Sequence, residues 1–406
     1  MGCHYIRYAY IDYKFYGGSL YNRYCFCNIT KTRKENMNTK YLAVIAVVII
    51  AILIGSVAAY VFLSKPATAT ITLQGAGATF PYPLLNSIIG NYSTNVKPNV
   101  LVNYQPIGSG GGISAYKQSQ ATVDFAASDA PLSASDVGNI PNSLHIPETI
   151  GAVTIAYNLP GISSGLHLTG KVIADIFQGT VTMWNDPAIQ SINQNVTLPA
   201  KAISTVHRSD GSGTTFIFTS YLTASSTAWN SSVGASKSVS WPVGSGSSGN
   251  TGVASSVQGN PYSIGYVELA YVLENGMTVA VVQNPSGNYI QPSLESTQLA
   301  VQSGASSGLP AGNASWTNVN LLNTPDANAY PIASFTYLIV YKELNVLSDM
   351  TQAKATALAQ FLWYVVHDGQ DFAPGLSYAK LPSNVVQIDE TTIQSITFNG
   401  QTLQTS

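Results

Sequence analysis

Between Tyr41 and Leu63 the chain runs for twenty-three residues without a charged side chain, and nearly all of them are apolar. At 1.5 Å per residue a helix of that length spans the roughly 30 Å hydrocarbon core of a bilayer. Lys31, Arg33, Lys34 and Lys40 cluster before the run, and only Lys65 follows it closely. Basic residues favour the cytoplasmic flank, so the N-terminus is expected inside and the body outside. A cleaved signal peptide is the competing reading, with Ala67-Thr68-Ala69 as small residues near a cut site. The apolar region of such a signal is usually about 7–15 residues, shorter than this run. The expected order is therefore a cytoplasmic segment 1–40, a transmembrane signal anchor 41–63, a tether 64–71 and an exported body. Met37 directly precedes an ordinary anchor start, so residues 1–36 also read as an extension before the true start.

The two sides of the anchor differ in charge. Residues 1–40 hold seven Lys/Arg against two acids, whereas the rest holds ten bases and seventeen acids. Overall only 9% of the chain is charged, against roughly 25% in an average soluble protein. A mildly acidic body lacks the basic footprint that nucleic acid requires. Few carboxylates also mean few ion pairs to lose in acid, which fits an acidic exterior. All three cysteines (Cys3, Cys25, Cys27) precede the anchor, so the body is expected to fold without disulfides. Beyond the anchor lie four Asn-x-Ser/Thr sequons, at Asn91, Asn195, Asn230 and Asn313, which permit glycosylation of an exported surface.

Periodicity in the body alternates between strand and helix. Pro81 and Pro83 open a helix through Leu84, Leu85, Ile88, Ile89 and Tyr92. Residues 100–102 and 123–126 read as short strands, with a helix opening after Gly112 between them. Residues 152–157 read as a buried strand, 170–178 as a helix ending at Gly179, and 335–341 as a second buried strand before a long helix over 350–367. Ser212 is placed to cap another helix. The Ser/Gly-rich stretches 231–252 and 303–314 read as loops. Such alternation predicts α/β domains with largely parallel sheets.

Three glycine-rich turns each stand just before a predicted helix. They are Gly75–Phe80, Gly108–Gly112 and Asp210–Thr214. A helix N-terminus presents unpaired N–H groups and the positive end of its dipole, and glycine lets the backbone approach an anion closely. Any one such turn is more simply a tight loop with a cap. Three of them, with Arg208 two residues before Asp210, point to a converging anion cradle.

At these turns the chain resembles the phosphate-binding proteins that feed Pst-type phosphate ABC importers. The matching runs are GAGATFPYP (75–83), NYQPIGSGGG (103–112), VDFAASDAPLS (123–133), HRSDGSGTTFIFTSYL (207–222), WPVG (241–244) and IGYVE (264–268), with weaker matches at 175–186 and 381–386. They occur in order over about 72–390. The resemblance implies a two-lobed α/β clamp of the periplasmic-binding-protein type II class. Lobe I would be 72–155 with 332–406, lobe II 156–331, and the crossings would fall near 152–158 and 332–336. It also implies phosphate contacts from Thr79, the Phe80 N–H, Ser109, Asp129, Arg208, Ser212, Gly213 and Thr214, with Asp210 holding Arg208. Gly110 stands where many relatives carry a second serine, keeping the N–H without the hydroxyl. His207 stands where arginine is common, which weakens the basic rim. The implied partners are inorganic phosphate and a membrane permease with its ATPase; the binder itself is expected to be a monomer without cofactor or metal.

Enzymatic readings find little purchase. Gly165–Lys171 nearly spells a nucleotide-binding loop, but Val172 replaces the required Ser/Thr. His145, His167, His207 and His367 show no metal-ligand spacing. A phosphatase built on Ser109 or Ser212 would need a metal cluster or general base. A surface-layer or adhesion protein would suit the Ser/Thr/Asn/Gly-rich composition but would leave Arg208 and the three turns unexplained.

Overall fold

The computed structural model describes residues 39–63, 70–117, 120–305 and 308–405. The segment before residue 39, with its cysteines and Met37, and residues 64–69 of the tether lie outside the described residues. The chain divides into two units, Met1–Ala67 and Thr68–Ser406.

In the first unit, helix α1 is Thr39–Leu63. Its side chains are described at residue 40 and over 43–56, where Val44, Val47, Ile50, Ile52 and Ile54 are all more than half exposed. Among the described residues no helix is long and apolar enough to cross a membrane. The described side chains cover about 21 Å of helix at 1.5 Å per residue, less than a bilayer core.

The second unit is organised by one nine-stranded sheet. Strands β1 (Ile71–Gly77), β2 (Val100–Gln105) and β3 (Phe125–Ser128) form one flank, with β1 parallel to both neighbours. The other flank is β5 (Ser204–Arg208), parallel to β6 (Ser245–Ser247) and to β7 (Ser263–Glu268). Between them run β4 (Ser143–Asn158) and β9 (Ala333–Tyr341), with β8 (Thr278–Val279) beside the end of β4. The order across the sheet is β2-β1-β3-β9-β4-β7-β5-β6.

β4 serves both flanks: β9 pairs antiparallel with residues 143–152, and β7 pairs antiparallel with 153–158. The sheet is thus parallel only within its flanks, short of the largely parallel arrangement expected. The two central strands are antiparallel to every neighbour that pairs with them because they carry the chain back between flanks. The strand expected at 152–157 begins nine residues earlier, at Ser143. Its first half was hidden by His145, Pro147 and Glu148, whose polarity and missing N–H break the apolar run.

Helices cover the sheet as the periodicity predicts, with shifts at their starts. Helix α2 is Tyr82–Asn91, burying Leu84, Leu85 and Ile88. Helix α3 is Ser109–Ala115, opening three residues before Gly112. Helix α4 is Gly170–Phe177, closed by Gly179 at φ 77°. Helix α5 is Gly213–Ser225, with the Ser212 hydroxyl accepting the Thr215 N–H as its cap. The stretch 231–252, expected as a loop, supplies β6 and the start of helix α6 (Gly249–Gly259). Helix α7 is Leu269–Glu274 and α8, the long one, is Gln352–Val366. The main core runs through both flanks and includes the fully buried Trp184, Trp229 and Trp316; a smaller cluster of Val206, Val253, Val257 and Val267 lies between α6 and the second flank.

Candidate anion-binding site

The ends of β1, β3 and β5 and the starts of α3, α5 and α6 meet at one place, and their glycines explain how closely. Gly77 ends β1 at φ 144°, where a Cβ would fall 2.1 Å from the Ala127 carbonyl oxygen. Gly213 opens α5 so near the first flank that a Cβ there would lie 2.5 Å from the Asp129 Cβ and 2.6 Å from the Ser109 Oγ. Only a residue without a side chain permits that approach. The Gly213 N–H donates to the Ser109 Oγ at 3.0 Å, as does the Asp129 N–H at 3.3 Å. One hydroxyl on the first flank thereby gathers donors from both.

Arg208 ends β5 and is 3% exposed. Its Nε donates to Asp210 Oδ1 at 2.7 Å and its Nη2 to Oδ2 at 2.5 Å. This bidentate grip uses the side edge of the guanidinium and leaves its outer edge for another acceptor. Burial alone would raise the Asp210 carboxyl, but the hydrogen bonds and charge of Arg208 hold it below the usual range. Arg208 Nη1 also donates to Thr214 Oγ1 at 3.3 Å. Thr214 Oγ1 accepts a further bond from Asn250 Nδ2 at 3.2 Å, so its own proton goes to Asp129 Oδ2 at 3.3 Å.

Asp129 is 1% exposed. Burial pushes its carboxyl up to about 7, against the opposing pull of Arg208 and the hydroxyls of Thr336 and Thr214. Thr79, at the start of the α2 turn, accepts at its Oγ1 from the Asn250 N–H (3.2 Å) and Nδ2 (2.9 Å). The adjacent Phe80 is fully buried, and its carbonyl accepts the Tyr378 hydroxyl at 2.6 Å. Every side chain expected at the cradle therefore lies in or beside this cluster. The Gly110 N–H is already engaged, donating to the Gly211 carbonyl at 2.8 Å. A Cβ at Gly110 would stand 3.1 Å from the Gly211 Cα, so glycine here suits the contact between the two turns. His207 stacks on Trp241 with ring centres 4.7 Å apart and serves packing.

Four residues of the cluster went unread in the sequence. Asn250 lies in the supposed loop 231–252, although Ser248-Gly249-Asn250 repeats the small-residue turn before a helix. Thr336 and Glu148 face Asp129 from β9 and β4. Glu268, inside the matched IGYVE run, ends β7 fully buried; burial keeps its carboxyl well above the usual range, and Oε2 lies 2.9 Å from the Tyr378 hydroxyl. The nucleotide-loop lysine, Lys171, is paired with Asp175 at 2.6 Å. Among the described residues no group of three or more His, Cys, Asp or Glu side chains could hold a metal ion.

Residues 64–368 match the family described as the PBP superfamily domain. The chain is 42% identical over 330 residues to the phosphate-binding protein PstS of Xylella fastidiosa, covering 80% of this chain and 85% of that one. The chain belongs to the PstS family. It is also 41% identical over 325 residues to PstS of Pasteurella multocida, covering 78% of this chain and 88% of that protein. Among solved structures, a phosphate ABC transporter substrate-binding protein from Clostridium perfringens, with bound phosphate, superposes with a TM-score of 0.54 at 17% identity. That match covers 77% of this chain and all of the other. It supports the two-domain α/β fold of PstS proteins, which bind and carry without being enzymes.

Proposed function

We propose that this PstS protein captures inorganic phosphate outside the cytoplasm and delivers it to a Pst-type permease and its ATPase. The observation that carries this reading is the buried Arg208, gripped by half-buried Asp210, facing buried Asp129, with helix N-termini and hydroxyls from both flanks between them. Arg208 supplies positive charge through the outer edge of its guanidinium. Thr79, Ser109 and Ser212 supply hydroxyls, and the Phe80 N–H adds a donor. An entering tetrahedral anion would compete for the Gly213 N–H now given to Ser109 and the Thr214 proton now given to Asp129.

Asp129 sets the choice of anion. A carboxylate only accepts, so it takes the P–OH proton of hydrogen phosphate and repels sulfate, which has no proton to offer. The lobes would be 72–155 with 332–406 and 156–331, closing on the ligand around β4 and β9. The run 41–63 would be a single-pass anchor: a helix apolar on all sides belongs in an apolar medium. Anchoring would keep the binder close to its permease and raise its effective concentration.

The relatives give no support to a phosphatase or a surface-layer protein. The deciding experiment is binding of radiolabelled phosphate by residues 68–406, run beside p-nitrophenyl phosphate. Binding without hydrolysis is expected; hydrolysis, or no binding, would reject the proposal.

A further inference from the structure

Strand β4 carries an irregularity beside the site. Thr336 of β9 pairs with Thr149, but the next residue, Tyr337, pairs with Pro147. Glu148 is the extra residue, opposite no partner of its own. Such a bulge re-aims a side chain, and bulges gather next to functional sites. Pro147 is tolerated there because the ladder is already interrupted. The bulge delivers a second carboxyl to the back of the anion site: Glu148 is 2% exposed, and its Oε1 lies 3.3 Å from the Thr336 Oγ1. The same oxygen of Thr336 lies 3.1 Å from Asp129 Oδ1.

A threonine hydroxyl has one proton and so donates to one of these carboxyls only. The other contact is a hydrogen bond only if that carboxyl brings its own proton. Asp129 already accepts the Thr214 hydroxyl on its second oxygen and faces Arg208, whereas the only described side-chain partner of Glu148 is Thr336. The proton therefore belongs on Glu148.

We propose that Glu148 is a positioning residue of the phosphate site: held as a neutral acid, it donates to the Thr336 hydroxyl, which donates in turn to Asp129 and keeps that carboxylate an acceptor for the ligand. The chain Glu148–Thr336–Asp129 fixes the direction of every proton behind the ligand. It also holds the negative charge of the pair at one while a second anion enters. This rests on the reading of Asp129 as the group that accepts the ligand's proton.

The energetics agree in sign. Burial, and then the charge of Asp129, push Glu148 up to about 8. The other titratable groups around the pair are Arg208 from β5, Glu268 from β7, Tyr104 from β2, Tyr82 from α2, Tyr271 from α7 and Tyr378 beyond α8. Tyr104, Tyr271 and Tyr378 are all raised further by burial, so they stay neutral here. Above the value for Glu148 the empty site carries an extra negative charge, and binding an anion must first restore the proton.

The test is calorimetric titration of residues 68–406 with phosphate between about pH 6.5 and pH 9.5, for the unaltered protein and for Glu148→Gln. The amide still donates to Thr336 but does not ionise. The ratio of unaltered to variant affinity is expected to fall about tenfold per pH unit above about pH 8. Titration of phosphate itself and of Glu268 is common to both proteins and cancels. Independently of any variant, titrations in buffers of different ionisation enthalpy should show the unaltered protein taking up about one proton per phosphate at about pH 9. Parallel pH profiles, or no proton uptake, would overturn the relay while leaving phosphate binding intact. Failure of the unaltered protein to bind phosphate at any pH would instead overturn the functional reading beneath it.

Discussion

The flank built on β1, β2 and β3 brings Thr79, Ser109 and Asp129 to the site, hydroxyls and an acid with no basic side chain among them. The flank built on β5, β6 and β7 brings Arg208, Asp210 and Thr214, and with them the only arginine beyond the anchor run. On the proposed reading, one side would read the ligand's proton and the other would answer its charge. Neither set resembles a complete anion site by itself. The charge on the second side is also tempered, because Asp210 grips the guanidinium through two of its nitrogens. The proposed roles of selectivity and attraction would thereby fall on different parts of the chain, where substitutions can separate them.

The sharpest way to break this division is Asp129→Asn. An amide can donate to a proton-free oxygen, so exclusion of sulfate should collapse. Sites that bind a ligand hydroxyl reject analogues lacking it by about 10⁴–10⁵-fold, and most of that margin is expected to go. Competition titrations that still exclude sulfate would contradict the role given to Asp129.

Next in size is Arg208→Ala, which strips the charge from the second side and leaves the half-buried Asp210 without its partner. Losses of about 2–5 kcal/mol are typical, which is roughly 30-fold to roughly 4,000-fold in phosphate affinity. Ser109→Ala on the first side should cost about tenfold or less, the scale of one neutral hydrogen bond. Comparable losses in the two variants would deny that charge is concentrated on the second flank.

Gly213→Ala tests the meeting of the flanks. The added methyl would stand 2.5 Å from the Asp129 Cβ, so the turns must part. Overpacking of this kind costs about 1–3 kcal/mol. Calorimetric scans should show a lower melting temperature, and titrations weaker phosphate binding. An unchanged protein would mean that the flanks do not close this tightly.

The smallest effect concerns pH. Asp129 at about 7 and Glu148 at about 8 lie above their unfolded values of 3.8 and 4.5, so the unfolded chain releases these protons first as pH rises. Each group therefore lowers stability from about pH 4 up to its folded value. His145 works in the other direction: burial brings it down to about 4, and its contribution is lost as pH falls below 6.5. The interval from 6.5 to 8 isolates the carboxyls. Urea denaturation of the ligand-free body should show stability falling there, by on the order of 2 kcal/mol from Glu148. A rise over that interval would refute the placement of these protons.

Much of this was legible in the chain. Helix α2 shows its apolar stripe and its prolines, Ser212 announces the start of α5, and Arg208 stands out because the body has no other arginine. What escaped depends on contacts distant in sequence. Glu148 reads as an interruption beside Pro147, and only pairing with β9, almost two hundred residues later, turns it toward Asp129. Asn250 sits among serines and glycines that resemble any flexible loop, yet Thr79 and Thr214 give its amide two acceptors. Thr336 has the pattern of a buried strand residue; its hydroxyl gains a purpose only from the two acids it meets.

The sixteen residues of β4 have a consequence for how the molecule moves and melts. Because β9 runs along one half and β7 along the other, neither flank possesses a whole sheet of its own. Removing either flank would strip one edge of the same strand and leave its peptide groups bare. The halves are thus not two beads on a thread but two pages bound to one spine. Any opening and closing would be a flexing of that spine with its ladder intact, and the loss of one half would take the other with it.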